Sequence, residues 1–300
     1  MDIVLLSDGL GNQMFQYAFY LARKKHQRIG FNTYLIRRCK IHNGYELDNV
    51  FNIKDKQSLF EDMLVRFMRK LTVFENRCYF KSFVFMMIAF LKILKINIII
   101  ERKGYTFDEK YLFDSKGINI YWGWWFTENY FKNKKSLIQS VFRFDTTRLN
   151  ECSQNILEKI INGQSVSLHI RRGDYLYGGN EYIHGNICTI SYYNRAIQLI
   201  IDKVENPEFY IFSDDMEWVK TNLHICGAEY IDWNKSVNSW QDMCLMSKCR
   251  HHIIANSSFS WWAAWLGDYE RKITIAPDHF LIKGATPDAV PEGWIVLTTK

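Results

Sequence analysis

Only four prolines occur in the 300 residues, and no tract is repeated or low in complexity. A chain so poor in these signals offers no obvious flexible linker and excludes repeat architectures. Seven cysteines are scattered (Cys39, Cys78, Cys152, Cys188, Cys226, Cys244, Cys249) without a single C-x-x-C pair. An odd, unclustered set argues against a disulfide framework and a zinc site, and fits a reducing compartment. The opening residues, MDIVLLSDGLGNQ, carry an acid at position 2 and only a short apolar run. That pattern is neither a signal peptide nor an anchor, so the cytoplasm is the expected location. The longest apolar stretch, FVFMMIAFLKILKINIII at 83–100, is interrupted by Lys92 and Lys95 and makes a poor membrane span.

What is present is an ordinary globular balance, 48% hydrophobic and 23% charged, in a length suited to two domains. Aromatic residues reach 16%, with 10 tryptophans. Such a content suits either sugar-stacking surfaces or a tryptophan-rich core. The net charge of +6 is uneven. Residues 64–103 hold Arg66, Arg69, Lys70, Arg77, Lys81, Lys92, Lys95, Arg102 and Lys103 against Glu75 and Glu101 alone. An apolar stripe flanked by cations resembles a helix lying on an anionic bilayer, so a peripheral inner-membrane contact through about 83–100 is one expectation. A buried helix followed by the strand INIII is the other. No nucleic-acid-binding motif accompanies the basic patch, and none of its chemistry calls for nucleic acid.

Along the chain, DIVLL reads as a strand and SDGLGN as a turn, with Gly9 and Gly11 able to take positive φ. A helix from Asn12 through ARKKHQ follows, ending in basic residues. IYWGWW at 120–125 is an aromatic strand end. From 150 onward strands alternate with helices: SVSLHI, EFYIFSDD, AEYID, HHIIANSS and KITIAP, separated by helical segments. This alternation predicts an α/β fold with parallel strands and right-handed crossovers. Ligands of such sheets bind beyond the carboxyl ends of the strands. Three of these ends are polar, HIRRGD, FSDD and IANSSFS, and all should share one rim.

The chemistry at that rim is that of an anion. Guanidinium stays charged and binds phosphate in a bidentate way, so one of Arg171 and Arg172 would hold a pyrophosphate while the other pairs with Asp174. Asp214 and Asp215 suit ribose hydroxyls or the N–H edge of guanine, with a metal clamp as the competing reading. Ser257, Ser258, Phe259 and Ser260 begin a helix whose amides form an anion site, and the same serines serve as ordinary caps. Trp261, Trp262 and Trp265 cover one face of that helix and read as core. Near the amino end, GLGNQMFQYAF is neither a dinucleotide fingerprint nor a P-loop.

Together GLGNQMFQYAF, HIRRGDY, FSDD and HHIIANSSFSWWAAWLG resemble the bacterial α-1,2-fucosyltransferases of glycosyltransferase family 11, over nearly the whole chain. The resemblance implies a GT-B-like architecture, two Rossmann-like domains (1–160 and 161–300) facing a central cleft. It implies GDP-β-L-fucose as donor, inversion at the anomeric carbon, no metal and no cofactor. By the same resemblance His169 lies on the guanine or ribose side, Arg171 on the β-phosphate, Asp214 and Asp215 on the nucleoside, and residues 257–260 on the phosphates. Asn12 and Gln13 fall near the transferred group, and His184, Cys188 and Tyr193 near the cleft. Arg171 is the expected stabiliser of the leaving group. Asp174, Asp8 and His184 are candidate bases, with Asp174 preferred. The acceptor implied is a galactose-terminated oligosaccharide or lipid-linked glycan of a bacterial surface polysaccharide. One departure stands out, Asp8, where a glycine is expected.

Overall fold

The computed structural model describes residues 1–24, 29–38, 42–56, 58–75 and 81–299. Cys39, Arg77, Cys78 and the expected helical residues 25–27 lie outside them. The chain forms two compact units, Met1–Val141 and Phe142–Lys300. The division falls earlier than residue 160 because of the helix Glu151–Asn162. Its cap Asn150 bonds to Asn234 (2.8 Å) and Gln241 (2.8 Å), which fixes it to the second unit.

The first unit contains β1 (Asp2–Leu5), α1 (Leu10–Arg23), β2 (Ile29–Asn32), α2 (Glu46–Phe51), α3 (Leu59–Glu75), α4 (Lys81–Ile93), β3 (Ile96–Ile100), β4 (Ile118–Trp122) and α5 (Lys135–Val141). Its sheet is parallel, in the order β2-β1-β4-β3. Ile3, Leu5 and Ile120 pack under Val65 and Met68 of α3, spaced three apart as one helix face requires. Arg23 closes α1 on the strand starts: it pairs with Asp2 at 2.6 Å, lies over Tyr121, and Asp2 also accepts from Asn119 at 2.7 Å. The basic, apolar window resolves into helix and then strand INIII, and no described helix is long and apolar enough to cross a membrane.

The first turn departs from expectation. Helix α1 begins at Leu10, two residues early, with Gly9 as its extended cap (φ −80°) and Gly11 inside it. The left-handed residue is Asp8, at φ 65°. A glycine would adopt that conformation freely, which is the physical sense of expecting glycine there.

The second unit contains α6 (Glu151–Asn162), β5 (Ser165–Ile170), α7 (Ile190–Lys203), β6 (Glu208–Ser213), α8 (Met216–Asn222), β7 (Glu229–Ile231), α9 (Trp240–Lys248), β8 (His251–Ile253), α10 (Ser258–Leu266), β9 (Thr274–Pro277) and β10 (Ile295–Leu297). Six parallel strands run in the order β10-β9-β8-β5-β6-β7. Every residue of β5 is buried, as a central parallel strand requires. Val166, Leu168, Ile211, Ile253 and Ile275 form the core with Tyr192, Ala196 and Ile200 of α7. Trp261, Trp262 and Trp265 are buried, and Trp261 donates to Ala289 O at 2.8 Å, so they are core and not sugar platforms. The short edge strand β10 had no signal of its own.

Candidate active site

The strand order of the second unit reverses at β5, flanked by β8 and β6. The crevice beyond such a reversal is where open α/β sheets bind ligands. The three polar ends end on these adjacent strands, so HIRRGD, SDD and NSS do converge.

His169 is the penultimate residue of β5 and is buried. Burial, reinforced by the Arg171 charge and only partly opposed by Asp214, pushes its imidazole down to about 3. It is therefore neutral at physiological pH, with a buried Nδ1 that meets no protein partner and its ring against Phe259 (5.9 Å). Beyond β5 the chain turns, which brings both arginines to one side of the rim. Arg171 pairs through Nη2 with Asp174 (2.7 Å) and through Nε with Asp214 (3.2 Å), and its guanidinium lies 5.5 Å from the Tyr175 ring. Arg172 pairs through Nε with Asp215 (3.2 Å) and stacks 3.7 Å from the Trp218 ring centroid.

The carboxylates have structural work as well. Asp214 accepts from the Arg172 amide at 2.9 Å, and a Cβ on Gly173 would come within 2.5 Å of its Oδ2. Only glycine lets the carboxylate lie this close to the turn. Asp215 caps α8, accepting from Trp218 N at 3.3 Å. The rim is thus not the concentrated cation that two arginines and a histidine suggest. The histidine is neutral, and three carboxylates face two guanidiniums. What the site offers an anion is direction: the Nη1 donors of Arg171 and both Nη groups of Arg172 are left over after these pairs. The amides that open α10 add to them.

Ser257 is the cap of α10, its Oγ accepting from Phe259 N at 3.3 Å, while Ser258 and Phe259 are half-buried and Ser260 is buried. Asn256, just ahead, ties the rim together. Its carbonyl accepts from Tyr175 Oη (3.1 Å), its side chain donates to His184 O (3.1 Å), and Cys188 Sγ donates to its Oδ1 (3.6 Å). His184 stacks on Tyr175 at 4.9 Å and donates from Nδ1 to Phe280 O at 3.3 Å. Burial lowers its pKa. Tyr193 is 1% exposed, in the core beneath these residues, and its phenol is raised by burial, so it is not presented to a sugar. Tyr175 and Trp218 were missed by sequence reasoning, although both sit within four residues of the arginines or aspartates they serve.

In the first unit Gln13 is fully buried and fully used: it donates to Asp8 O and Gly44 O (2.8 Å each) and accepts from Glu46 N (3.0 Å). It is a strut, not a contact for a sugar. Asn12 is half-buried in the first turn of α1, its amide on Gly9 O at 3.0 Å. Asp8 is half-buried at the end of the β1 loop.

The sequence model of the family Glycosyl transferase family 11 matches residues 2–295. The chain belongs to glycosyltransferase family 11. Two Escherichia coli relatives, an alpha-1,2-colitosyltransferase and the O-antigen biosynthesis glycosyltransferase WbnK, are each 32% identical. The first match covers 98% of this chain and 99% of the relative, the second 97% and 99%. A galactoside alpha-(1,2)-fucosyltransferase 1 from Saimiri boliviensis boliviensis is 29% identical over 55% of this chain and 49% of its own length. Among solved structures, the fucosyltransferase NodZ from Bradyrhizobium superposes with a TM-score of 0.50 at 13% identity, covering 87% of this chain and 91% of that one. The family 11 chain is a glycosyltransferase, and its fold is GT-B-like.

Proposed function

We propose that this family 11 enzyme transfers L-fucose from GDP-β-L-fucose to the 2-hydroxyl of a terminal galactoside, with inversion and without a metal, in the synthesis of a bacterial surface polysaccharide. The observation that carries the proposal is the rim of β8, β5 and β6, where unused guanidinium donors face the start of α10 beside a neutral histidine. The names of the relatives support an α-1,2 linkage, a galactoside acceptor and an O-antigen setting.

In this mechanism Arg171 and the opening amides of α10 take the charge that develops on the departing diphosphate. Asp174 and Asp214 hold the Arg171 fork in place beforehand, so little reorganisation is needed as the bond breaks. Neutral His169 turns its unpartnered Nδ1 to the nucleoside. The acceptor hydroxyl loses its proton late, so a carboxylate already engaged by a guanidinium, as Asp174 is, suffices to receive it. Asp214 and Asp215 face arginines, which supports a metal-free reaction.

Incubation with GDP-fucose and lactose, with and without EDTA, followed by NMR of the product linkage, is the test. Absence of product with every galactoside, or loss of activity in EDTA, overturns the proposal. A second donor is favoured by the colitosyltransferase relative. Colitose is L-fucose without its 3-hydroxyl, and the kcat/KM ratio for the two GDP-sugars decides between them.

We infer further that the enzyme works at the cytoplasmic face of the inner membrane. Helices α3 and α4 leave Leu59, Phe60, Met63, Met86, Phe90 and Ile93 exposed beside the exposed Arg66, Lys70 and Lys92. Flotation with phosphatidylglycerol vesicles but not phosphatidylcholine vesicles is expected. Equal partition to both, or to neither, refutes this inference.

A further inference from the structure

The first unit has its own reversal of strand order, between β1 and β4. Both strands end there in unusual backbone. Asp8 after β1 and Trp125 after β4 are left-handed, at φ 65° and 59°. Trp125 is a bulky residue for that region, and such strain persists only where the surroundings impose it.

The imposing group is Glu101, the residue after β3. Its Oε2 accepts from the amides of Trp124 (2.7 Å) and Trp125 (2.9 Å). A Cβ on Gly123 would meet the Glu101 side chain at 2.5 Å, so glycine makes room for the carboxylate. Trp125 is then locked by a parallel stack on Phe19, with centroids 3.9 Å apart and planes 4° apart. Glu101 Oε1 is buried without a hydrogen-bond partner.

This construction presents Trp124. Its ring lies 6.1 Å from Phe126 at 15°, and the residue stays 48% exposed. Its Nε1 donates to Asp8 Oδ2 at 3.3 Å, an oxygen that also accepts from Ser7 Oγ at 2.9 Å. Among the described residues Asp8 Oδ1 has no partner. An exposed indole with a carboxylate fixed at its edge matches a pyranose, whose apolar C–H face stacks on the ring while its hydroxyls donate to the carboxylate.

We propose that Trp124 and Asp8 form a pyranoside-binding subsite on the first unit, with Glu101 as the positioning residue that presets its loop. Resting on the reading of the enzyme as a galactoside-directed transferase, the subsite takes the terminal β-galactoside of the acceptor. It needs no nucleotide, so it is tested without one. Saturation-transfer NMR of lactose with the full-length protein is expected to give a signal in the wild type and in Trp124→Phe. Trp124→Ala and Asp8→Asn should lose about tenfold in affinity, while GDP binding by calorimetry stays within about twofold. Where transfer is measurable, the acceptor KM should rise and kcat should hold. Undiminished lactose binding by Trp124→Ala, or no saturation transfer to lactose in the wild type, overturns the subsite. A wild type that binds lactose but transfers nothing from GDP-fucose instead overturns the proposed reaction and leaves the subsite standing.

Discussion

Replacing Glu101 with glutamine makes one electrostatic claim measurable. Burial raises the Glu101 carboxyl from its ordinary 4.5 to about 7, against the lowering pull of the Trp125 and Trp124 amides. Between those two values the folded chain holds a proton that the unfolded chain releases. Stability from this group is therefore complete below about pH 4.5 and declines as pH rises through 7. The gap corresponds to ~3 kcal/mol, at 1.36 kcal/mol for each tenfold change in proton affinity. Glutamine keeps an oxygen for the two amides and has no proton to lose. It places an NH2 where Oε1 is buried and unpartnered, a cost of about 1–3 kcal/mol that does not vary with pH. The wild type should thus be the more stable form near pH 5 and lose that lead by about pH 8. Asp108, Asp145 and Asp278, whose carboxyls are lowered, act in the opposite sense but cancel in the comparison. Hydrogen exchange of the peptide spanning 118–126, followed in urea at pH 5 to 8, reads the first unit alone. A stability difference that stays constant over that range would refute the account of a protonated, buried Glu101.

The second unit gives further expectations. Arg171→Ala should cut kcat by on the order of 10³-fold, and Arg171→Lys should not restore it, because an ammonium cannot hold Asp174, Asp214 and a phosphate at once; steady-state rates with GDP-fucose check this. Gly173→Ala forces Asp214 off the turn and should lower kcat at least ~10-fold. A melting temperature that falls in proportion would show a folding defect instead. His169 is neutral when folded at a value near 3, against an ordinary 6.5, so its stability is complete above pH 6.5 and is lost as pH falls towards 3. His169→Gln should remove up to ~5 kcal/mol of that acid dependence, measured by urea unfolding between pH 4 and 7. Ser257→Ala should cost about 1 kcal/mol through the lost α10 cap, read as a lower melting temperature.

The doubly wound second unit was legible because β5, β6, β8 and β9 are apolar runs separated by amphipathic helices. The alternation alone gives parallel strands and hence a shared rim. Strand β10 was not, since three residues at an edge carry no period. The division near 141 was hidden because α6 has a polar face and a cap like any other helix; only its bonds to Asn234 and Gln241 assign it. At the site, residue types pointed to the right place but not to the right partners. Spacing cannot say that Asp214 and Asp215 face Arg171 and Arg172, because β5 and β6 meet only through the sheet register. Gln13 was misjudged for the same reason. Its three partners lie at Asp8, Gly44 and Glu46, and no local pattern reveals that a loop closes over it.

The two units solve one problem in the same way. In each, a carboxylate from one strand end reaches across to the turn beyond the neighbouring strand, takes its amides, and presses against a glycine that leaves room. Glu101 does this to Gly123 and the amides of Trp124 and Trp125, and Asp214 does it to Gly173 and the amide of Arg172. The backbone at a strand end is otherwise free to splay, since its amides have lost their ladder partners. A buried carboxylate satisfies those amides and fixes the direction of the next side chain, Trp124 in one case and the arginine pair in the other. A charge is expensive to keep beneath a turn when an apolar contact would fill the same volume. Its use at both reversals of strand order, and its effect of aiming one half-exposed side chain each time, indicate that the cost is borne for presentation of ligand-binding groups and not for stability.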